Sequence, residues 1–162
     1  MSLIFSSYVD MMTYSHLIAR RVREHHVFCE LYSCLVESTT LSSTGLNDDG
    51  ECNIVGIILS GGPSSVYDPE SPHVHPSVWQ LISKHNIPVL GICYGMQEIA
   101  HVFGGEVSPS TEREFGRAIV RRSSLKETDE VVNKLLDGID DQQGVQMWMS
   151  HGDKVTKMPA GE

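Results

Sequence analysis

Apolar runs with strand character alternate with segments of helical period along most of the chain. Ile54–Leu59 is nearly all apolar and Pro88–Ile92 is a second apolar run, which is typical of strands covered on both faces. This alternation predicts an α/β fold, with an open, mostly parallel sheet and helices on both faces. The same pattern predicts a strand over Val27–Tyr32 and helices over Ser15–His25, Pro76–His85 and Tyr94–Phe103.

Two regions depart from this alternation. Ser38–Glu51 is rich in serine, threonine, glycine and aspartate, which predicts a polar loop or insertion of low order. After Glu114 the pattern predicts shorter strands over Arg117–Arg122 and Val145–Met149, with one helix over Asp129–Leu136. No internal repeat is visible, and a chain of 162 residues is expected to form one domain.

The composition narrows the class of protein. Apolar residues make up 40% of the chain and charged residues 20%, which excludes disordered and fibrous classes. The net charge of -9 argues against nucleic acid as the main partner, because phosphate binding needs clustered Lys and Arg. No apolar stretch is long enough for a membrane helix, and the four cysteines form no C-x-x-C pair. We therefore expect a soluble cytoplasmic protein with reduced thiols.

The sequence Gly91–Gly95 (GICYG) lies between a predicted strand and a predicted helix. This context is typical of a nucleophile elbow, in which glycines flank the nucleophile at a sharp turn. Cys93 would lie at a helix N-terminus, where partial positive charge favours thiolate over thiol. The backbone N–H of Tyr94 would then face a developing oxyanion. A buried structural cysteine is the alternative, but the agreement of strand, glycines and helix favours a nucleophile.

A second glycine pair, Gly61 and Gly62, directly follows the predicted strand Ile54–Leu59. Ligands of open α/β sheets bind outside the carboxyl ends of the strands, and both this loop and Cys93 leave such ends. A backbone amide of Gly61 or Gly62 could supply a second oxyanion donor. Taken alone, Gly-Gly-Pro is only a turn, and no phosphate-binding G-x-x-x-x-G-K-[ST] motif is present.

A cysteine hydrolase also needs a base, which is usually histidine. None of the eight histidines carries a signal strong enough to settle this role. His101 lies about two helical turns beyond the elbow, too far for direct contact. His73 and His75 are expected in a surface loop rather than at a metal, and no metal site is expected. His151 is predicted to follow a strand and could line the pocket.

Three segments together identify a family: Ser60–Tyr67 (SGGPSSVY), Gly91–Gln97 (GICYGMQ) and Trp148–Val155 (WMSHGDKV). They resemble the glutamine amidotransferase domain (class I, triad type) of GMP synthases, and Tyr14–Arg23 looks like that family's first helix. In the family, a cysteine attacks the side-chain amide of glutamine and releases ammonia, leaving a glutamyl thioester that water hydrolyses. The ammonia passes to a synthetase domain that has activated XMP with ATP. The resemblance implies this fold and this activity from about Tyr14 onward.

The resemblance also implies roles for individual residues. Cys93 would be the nucleophile, with oxyanion donors from Tyr94 and the Gly61–Gly62 loop. From the residues alone, Gln97 could equally be a helix-surface residue and Asp153 a turn former. The residues that the resemblance assigns to glutamine binding are Gln97, Ser150, His151, Gly152 and Asp153.

The sequence departs from the family in three places. The family's later His-Pro-Glu segment, which supplies the catalytic His and Glu, is absent, as is the Ser-Gly-Gly-x-Asp-Ser loop of the synthetase domain. Residues 1–13 diverge, and the first strand-to-helix turn lacks a glycine. We therefore expect residues 1–162 to be one partial amidotransferase domain, truncated at its C-terminal end and inactive alone.

Cofactors and partners follow from this resemblance. No cofactor is expected in the amidotransferase domain, whereas ATP and Mg²⁺ belong to the absent synthetase domain. The expected partners are glutamine and a GMP synthase ATP-pyrophosphatase domain, with no nucleic acid and no membrane. Two alternatives stay open: a cysteine hydrolase of another substrate, and a non-catalytic domain that kept the fold.

Overall fold

The computed structural model describes residues 2–7, 12–46, 51–121, 137, 139 and 142–160. Ten helices and strands are found within these described residues. They are β1 (Ser2–Ser7), α1 (Met12–Glu24), β2 (Phe28–Ser33), α2 (Ser38–Gly45), β3 (Ile54–Leu59), α3 (Pro76–His85), β4 (Val89–Gly91), α4 (Tyr94–Val102), β5 (Glu106–Val120) and β6 (Val145–Lys157).

Four parallel strands form the main sheet, in the order β2-β1-β3-β4. The chain runs from β1 outward to β2 and then returns to the other side of β1, so the strand order reverses between β1 and β3. Ligands of such sheets bind at the carboxyl ends of the strands near this reversal. Leu59, the last residue of β3, is paired with Gly91, the last residue of β4, so both loops that follow leave the same edge.

The core lies on both faces of β3. Ile57 and Leu59 are 2% and 3% exposed and belong to an apolar cluster with Leu81 of α3. Ile58, which points the opposite way, packs with Ala19 of α1. Helices therefore cover both faces of the sheet, and the predicted α/β fold is confirmed.

Several elements match their predicted bounds closely. β3 and α3 begin and end where the pattern predicts, and α4 ends one residue early. α1 begins at Met12, three residues before the predicted start. β1 was not predicted, because its apolar residues are only Leu3, Ile4 and Phe5 between serines. Parallel pairing with β2 on one side and β3 on the other makes it a central strand.

The prediction of a loop over Ser38–Glu51 is wrong for its first half, which is the helix α2 (Ser38–Gly45). Serine, threonine and glycine have weak helix propensity, so the local sequence gives little sign of this helix. Leu41 is 1% exposed and belongs to the core cluster of β3 and α3. The helix is therefore stabilised by tertiary packing rather than by its own composition. Residues 47–50 lie outside the described residues.

The strands near the C-terminus are longer than predicted. β5 has 15 residues and β6 has 13, and they pair in a two-stranded sheet. The segment Ser150–Asp153 therefore lies inside β6 and does not follow a strand. Glycine and aspartate are depleted in strands, which is why the predicted strand ends at Met149, but pairing with β5 overrides that preference. The predicted helix over Asp129–Leu136 falls outside the described residues.

Backbone contacts divide the chain into two compact units. The first comprises residues 1–108 and 153–162, and the second comprises residues 109–152. In the second unit, the Arg121 guanidinium donates to the backbone carbonyl of Gln142 over 3.1 Å. That residues 1–162 form one partial domain stays a prediction. In the part of the chain that the structure describes, no helix has the length and apolar character needed to cross a membrane.

Candidate active site

Cys93 lies at the turn between β4 and α4 with an unusual backbone conformation. Its φ and ψ are 53° and −111°, a backbone conformation that residues other than glycine rarely adopt. Hydrogen bonds from Met96 N–H and Gln97 N–H to the Cys93 carbonyl, at 3.0 and 3.1 Å, begin the helix immediately after it. Strain of this kind persists only where the surrounding structure enforces it, and it is concentrated at functional sites. The strand, turn and helix expected of a nucleophile elbow are therefore present.

Gly91 and Gly95, the two glycines of the elbow, lie so close to neighbouring backbone that a side chain would not fit at either position. A Cβ at Gly91 would lie 2.6 Å from the backbone nitrogen of Met96, at the start of α4. A Cβ at Gly95 would collide with the carbonyl of Leu59, at the end of β3. The glycine on each side of Cys93 thus lets α4 pack directly against the ends of the two strands.

The loop with Gly61 and Gly62 passes close to the elbow. A Cβ at Gly61 would lie 3.3 Å from Cβ of Cys93 and 3.9 Å from its sulfur, and one at Gly62 would lie 3.6 Å from Cγ of Tyr94. Within the described residues, the backbone N–H groups of Gly61 and Gly62 have no protein acceptor. The structure thus brings these glycines next to Cys93.

The electrostatic environment of Cys93 differs from the expectation. Burial raises the pKa of the Cys93 thiol above its usual range, and the negative charge of Asp153 raises it further. The backbone N–H of Tyr94 acts in the opposite direction and lowers the pKa. The Tyr94 N–H thus stabilises the thiolate, as expected. Burial has the larger effect on the pKa, because desolvation penalises the charged form. The thiol form is therefore favoured before a substrate binds.

Asp153 is held beside the site by two hydroxyl groups. Ser65 donates to one of its carboxylate oxygens, and Tyr67 donates to the other over 2.9 Å. The side-chain amide of Gln97 donates to the backbone carbonyl of Asp153 over 3.3 Å. Gln97 is 4% exposed, so the alternative of a helix-surface residue is wrong. Asp153 lies in β6, so the alternative of a turn former is also wrong.

The remaining candidate residues lie elsewhere in the chain. Ser150, His151 and Gly152 belong to the second unit, and the side chains of Ser150 and His151 lie outside the described residues. Their roles stay predictions. His75 accepts a hydrogen bond from the Ser77 N–H at the start of α3, so it caps this helix. Among the side chains that the structure describes, no group of three metal-ligating residues comes together.

Sequence reasoning missed three residues near this site. Ser65 and Tyr67 contact Asp153 across more than 80 residues of sequence, so no local pattern could indicate the contact. Glu98 is 1% exposed, although a glutamate in a helix is ordinarily a surface residue. Glu98, Gly61 and Gly62 line a cleft of about 380 Å³, a volume that includes the solvent at its mouth.

The α/β sheet with a cysteine elbow beside a glycine loop agrees with the fold and site that the resemblance to glutamine amidotransferases implies. The family model of class-I glutamine amidotransferases matches residues 7–161, and the chain belongs to this family. The prediction from the sequence motifs is thereby confirmed.

The chain is also similar to individual curated proteins over most of its length. The chain is 44% identical to the GMP synthase (glutamine-hydrolyzing) of Methylobacillus flagellatus, over 91% of this chain and 26% of that protein. It is 43% identical to the enzyme of the same name from Schizosaccharomyces pombe, over 96% of this chain and 27% of that protein. The chain thus spans about a quarter of the length of the curated relatives it matches.

Solved structures support the fold. The crystal structure of a Thermoplasma acidophilum protein, assigned as one subunit of GMP synthase, matches with a TM-score of 0.66 and 25% identity, over 98% of this chain and 69% of that one. A glutamine amidotransferase from Methylobacillus flagellatus matches with a TM-score of 0.65 over 99% of this chain and 58% of that one. Its identity is 17%, so this likeness concerns the fold alone.

Proposed function

We propose that the chain is the glutamine-hydrolysing part of a GMP synthase. The observation that carries the proposal is the strained backbone of Cys93, at φ 53°, with Gly61 packed against it and α4 beginning directly after it. This arrangement places one thiol next to the backbone N–H of Tyr94 and next to the Gly61–Gly62 loop. Acyl transfer through a cysteine requires such a pair of features.

In the proposed reaction, the sulfur of Cys93 attacks the side-chain carbonyl carbon of glutamine as its thiol proton is transferred to a base. The carbonyl oxygen takes up the electron pair and is stabilised by the N–H groups of Tyr94 and the Gly61–Gly62 loop. Collapse of this intermediate breaks the C–N bond, and the protonated nitrogen leaves as ammonia. Water then attacks the thioester, which releases glutamate and restores the thiol.

The amino-acid end of glutamine carries an ammonium and a carboxylate. We assign the ammonium to Asp153, whose carboxylate is fixed by Ser65 and Tyr67 and lies close enough to Cys93 to raise its pKa. A fixed anion beside the nucleophile suits a cationic group that must be held at a set distance from the reacting amide. Gln97 supports the same arrangement through the backbone of Asp153.

The ammonia would be used by a partner, an ATP-pyrophosphatase domain that converts XMP to GMP with ATP and Mg²⁺. The sequence has neither a G-x-x-x-x-G-K-[ST] motif nor a Ser-Gly-Gly-x-Asp-Ser loop. We therefore assign no step with ATP to this chain. A cytoplasmic location, where purine nucleotides are made, is part of the same proposal.

The test uses a chloroketone analogue of glutamine. The Cys93 thiolate displaces chloride from its terminal carbon, so one C–S bond forms as the C–Cl bond breaks. We expect saturable labelling, mapped by mass spectrometry to Cys93, with protection by glutamine but not by asparagine. Cys93→Ser should abolish labelling, and Cys52→Ser, which changes another half-buried thiol, should leave it intact. Labelling that does not saturate, or that glutamine does not slow, would contradict the proposal.

A further inference from the structure

The segment from Ser60 to His75, here called the Ser60–His75 loop, begins with the two glycines beside Cys93. Its far end is attached to α4, the helix that follows Cys93. Tyr94 Oη donates to the Pro72 carbonyl over 2.6 Å. One Glu98 carboxylate oxygen accepts from the Val74 backbone N–H over 3.0 Å. The helix that begins directly after the nucleophile therefore also holds the far end of the loop that carries the glycines.

Glu98 contributes more than one contact to this attachment. Its second carboxylate oxygen lies 2.9 Å from Nδ1 of His73, so both oxygens are used by adjacent residues of the loop. The ring of His73 also stacks on that of His101, another α4 residue, with centroids 5.7 Å apart. Burying a carboxylate is unfavourable unless its oxygens are hydrogen-bonded, so this 1% exposed side chain depends on the loop being in place.

The loop between its two ends is held together by its own hydrogen bonds. Ser71 Oγ donates to the Ser65 carbonyl over 2.6 Å, and the Asp68 N–H donates to the same carbonyl over 2.9 Å. Gly61, Gly62 and Glu98 all line the cleft described above. The Glu98 end of the loop is connected to the glycine end through the loop's backbone and its own hydrogen bonds.

We propose that Glu98 is a positioning residue for the oxyanion donors: by binding the His73 and Val74 end of the Ser60–His75 loop, it sets where the Gly61 and Gly62 N–H groups lie relative to Cys93. The inference rests on the proposed function. The oxyanion donors act on the charge that develops during the reaction, so the effect of Glu98 concerns the rate of the chemical step rather than substrate affinity.

The test compares two reagents on the intact chain. The chloroketone analogue of glutamine places its ketone oxygen at the donors, whereas iodoacetamide alkylates the same sulfur without using them. Glu98→Met keeps the side-chain volume and removes both acceptors. We expect it to lower the maximal rate of labelling by the chloroketone about tenfold, a part of what loss of a whole donor costs. The half-saturating concentration and the iodoacetamide rate should change by less than about twofold, since binding and intrinsic thiol reactivity are retained.

Two further variants separate positioning from general destabilisation. Glu98→Gln keeps a carbonyl oxygen for the Val74 N–H and should restore most of the labelling rate. Ala100→Gly destabilises the same helix without removing a loop contact and should leave the rate at the wild-type value. Cooperative unfolding shows that a variant is folded. If Glu98→Met does not unfold cooperatively, Glu98→Ala is used for the same comparison.

The outcomes distinguish the two proposals. Wild-type chain that is not labelled saturably overturns the proposed function, and this inference with it. Saturable labelling of wild type with an unchanged maximal rate in Glu98→Met overturns the positioning role alone. A parallel fall with iodoacetamide, or an equal fall in Ala100→Gly, also overturns it, because the effect would then be one of folding.

Discussion

Gly95 lies directly against the carbonyl of Leu59, so close that a Cβ on Gly95 would lie less than 3.0 Å from that oxygen. The contact joins the end of β3 to the first turn of α4, and it is made by backbone that cannot move as a flexible side chain can. We expect Gly95→Ala to lower the free energy of unfolding by about 3 kcal/mol, the upper part of the range for overpacking. Urea unfolding followed by circular dichroism measures this.

Gly62→Ala is the matched control for that change. Its Cβ would meet Tyr94 at 3.6 Å, an ordinary van der Waals distance. We expect a change in unfolding free energy of less than about 0.5 kcal/mol, as for most substitutions without a specific mechanism. Equal losses of unfolding free energy in the two variants would mean that the packing of α4 on β3 is not the reason for glycine at position 95.

A second prediction concerns the order of thiol reactivity. Cys29 and Cys34 are buried, and burial raises the pKa of both thiols. Cys93 is partly accessible and lies at a helix N-terminus, so limiting iodoacetamide should label it before the two buried thiols. Peptide mapping after brief alkylation gives the order. Preferential labelling of Cys52, the other half-buried cysteine, would contradict the expected reactivity of the elbow.

The pH dependence of this labelling follows from the raised pKa of Cys93. Only the thiolate reacts, so the rate should keep rising as the pH passes 9.0, the ordinary value for a thiol. Asp153→Asn removes a negative charge that disfavours the thiolate and should shift the profile to lower pH. Asp68→Asn removes a carboxylate of the Ser60–His75 loop that does not act on the Cys93 pKa, and it should leave the profile unchanged. A shift of the Asp153→Asn profile to higher pH would reverse the assignment.

Glutamine recognition gives a fourth prediction. If Asp153 binds the substrate ammonium, Asp153→Ala should raise the half-saturating concentration of the chloroketone at least tenfold, since hydrogen bonds to charged groups contribute about 1.5–3 kcal/mol. The maximal labelling rate should change less, as expected for loss of uniform binding. Tyr67→Phe removes one of the two hydroxyls on Asp153 and should give a smaller effect in the same direction. A change confined to the maximal rate would place Asp153 in the chemistry instead.

Turnover gives the fifth prediction. Residues 1–162 contain no His-Pro-Glu segment, and His73 and His75 are engaged by Glu98 and by the N-terminus of α3. Ammonia release from glutamine by these residues alone should be about 10² to 10⁴-fold below that of the same residues followed by a relative's His-Pro-Glu segment. Comparable turnover would mean that a histidine within this sequence, with His151 as the first to be tested, serves as the base.

The parts of the fold that the sequence predicted are those with strong local signals. The apolar run of β3, the proline at the start of α3 and the glycines around Cys93 each determine their structure within a few residues. α2 could not be predicted, because its other seven residues are weak helix formers. The helix forms because Leu41 packs into the core of β3 and α3, which is distant in sequence. β1 likewise depends on neighbours on both sides rather than on its three apolar residues.

The candidate site divides in the same way. Cys93 and the glycine loop could be predicted, because a nucleophile elbow is a local motif with a fixed strand-turn-helix context. The partners of Asp153 could not, since Ser65 and Tyr67 are distant in sequence and meet it only in the folded chain. The sequence could not predict that the Cys93 pKa is raised, because the burial of the sulfur depends on all the residues packed around it.

At position 93 the residue that best suits the backbone conformation is glycine, whereas the proposed reaction needs the cysteine thiol. Glycine adopts φ near 53° without the penalty that a Cβ brings, and strain of this kind costs on the order of 1–3 kcal/mol. A population of variants sorted only for resistance to heat would therefore be enriched in glycine at position 93, and every such variant would lack the thiol. Heat screening of libraries built on this scaffold would have to hold position 93 fixed, or the most robust members recovered would be the ones unable to react.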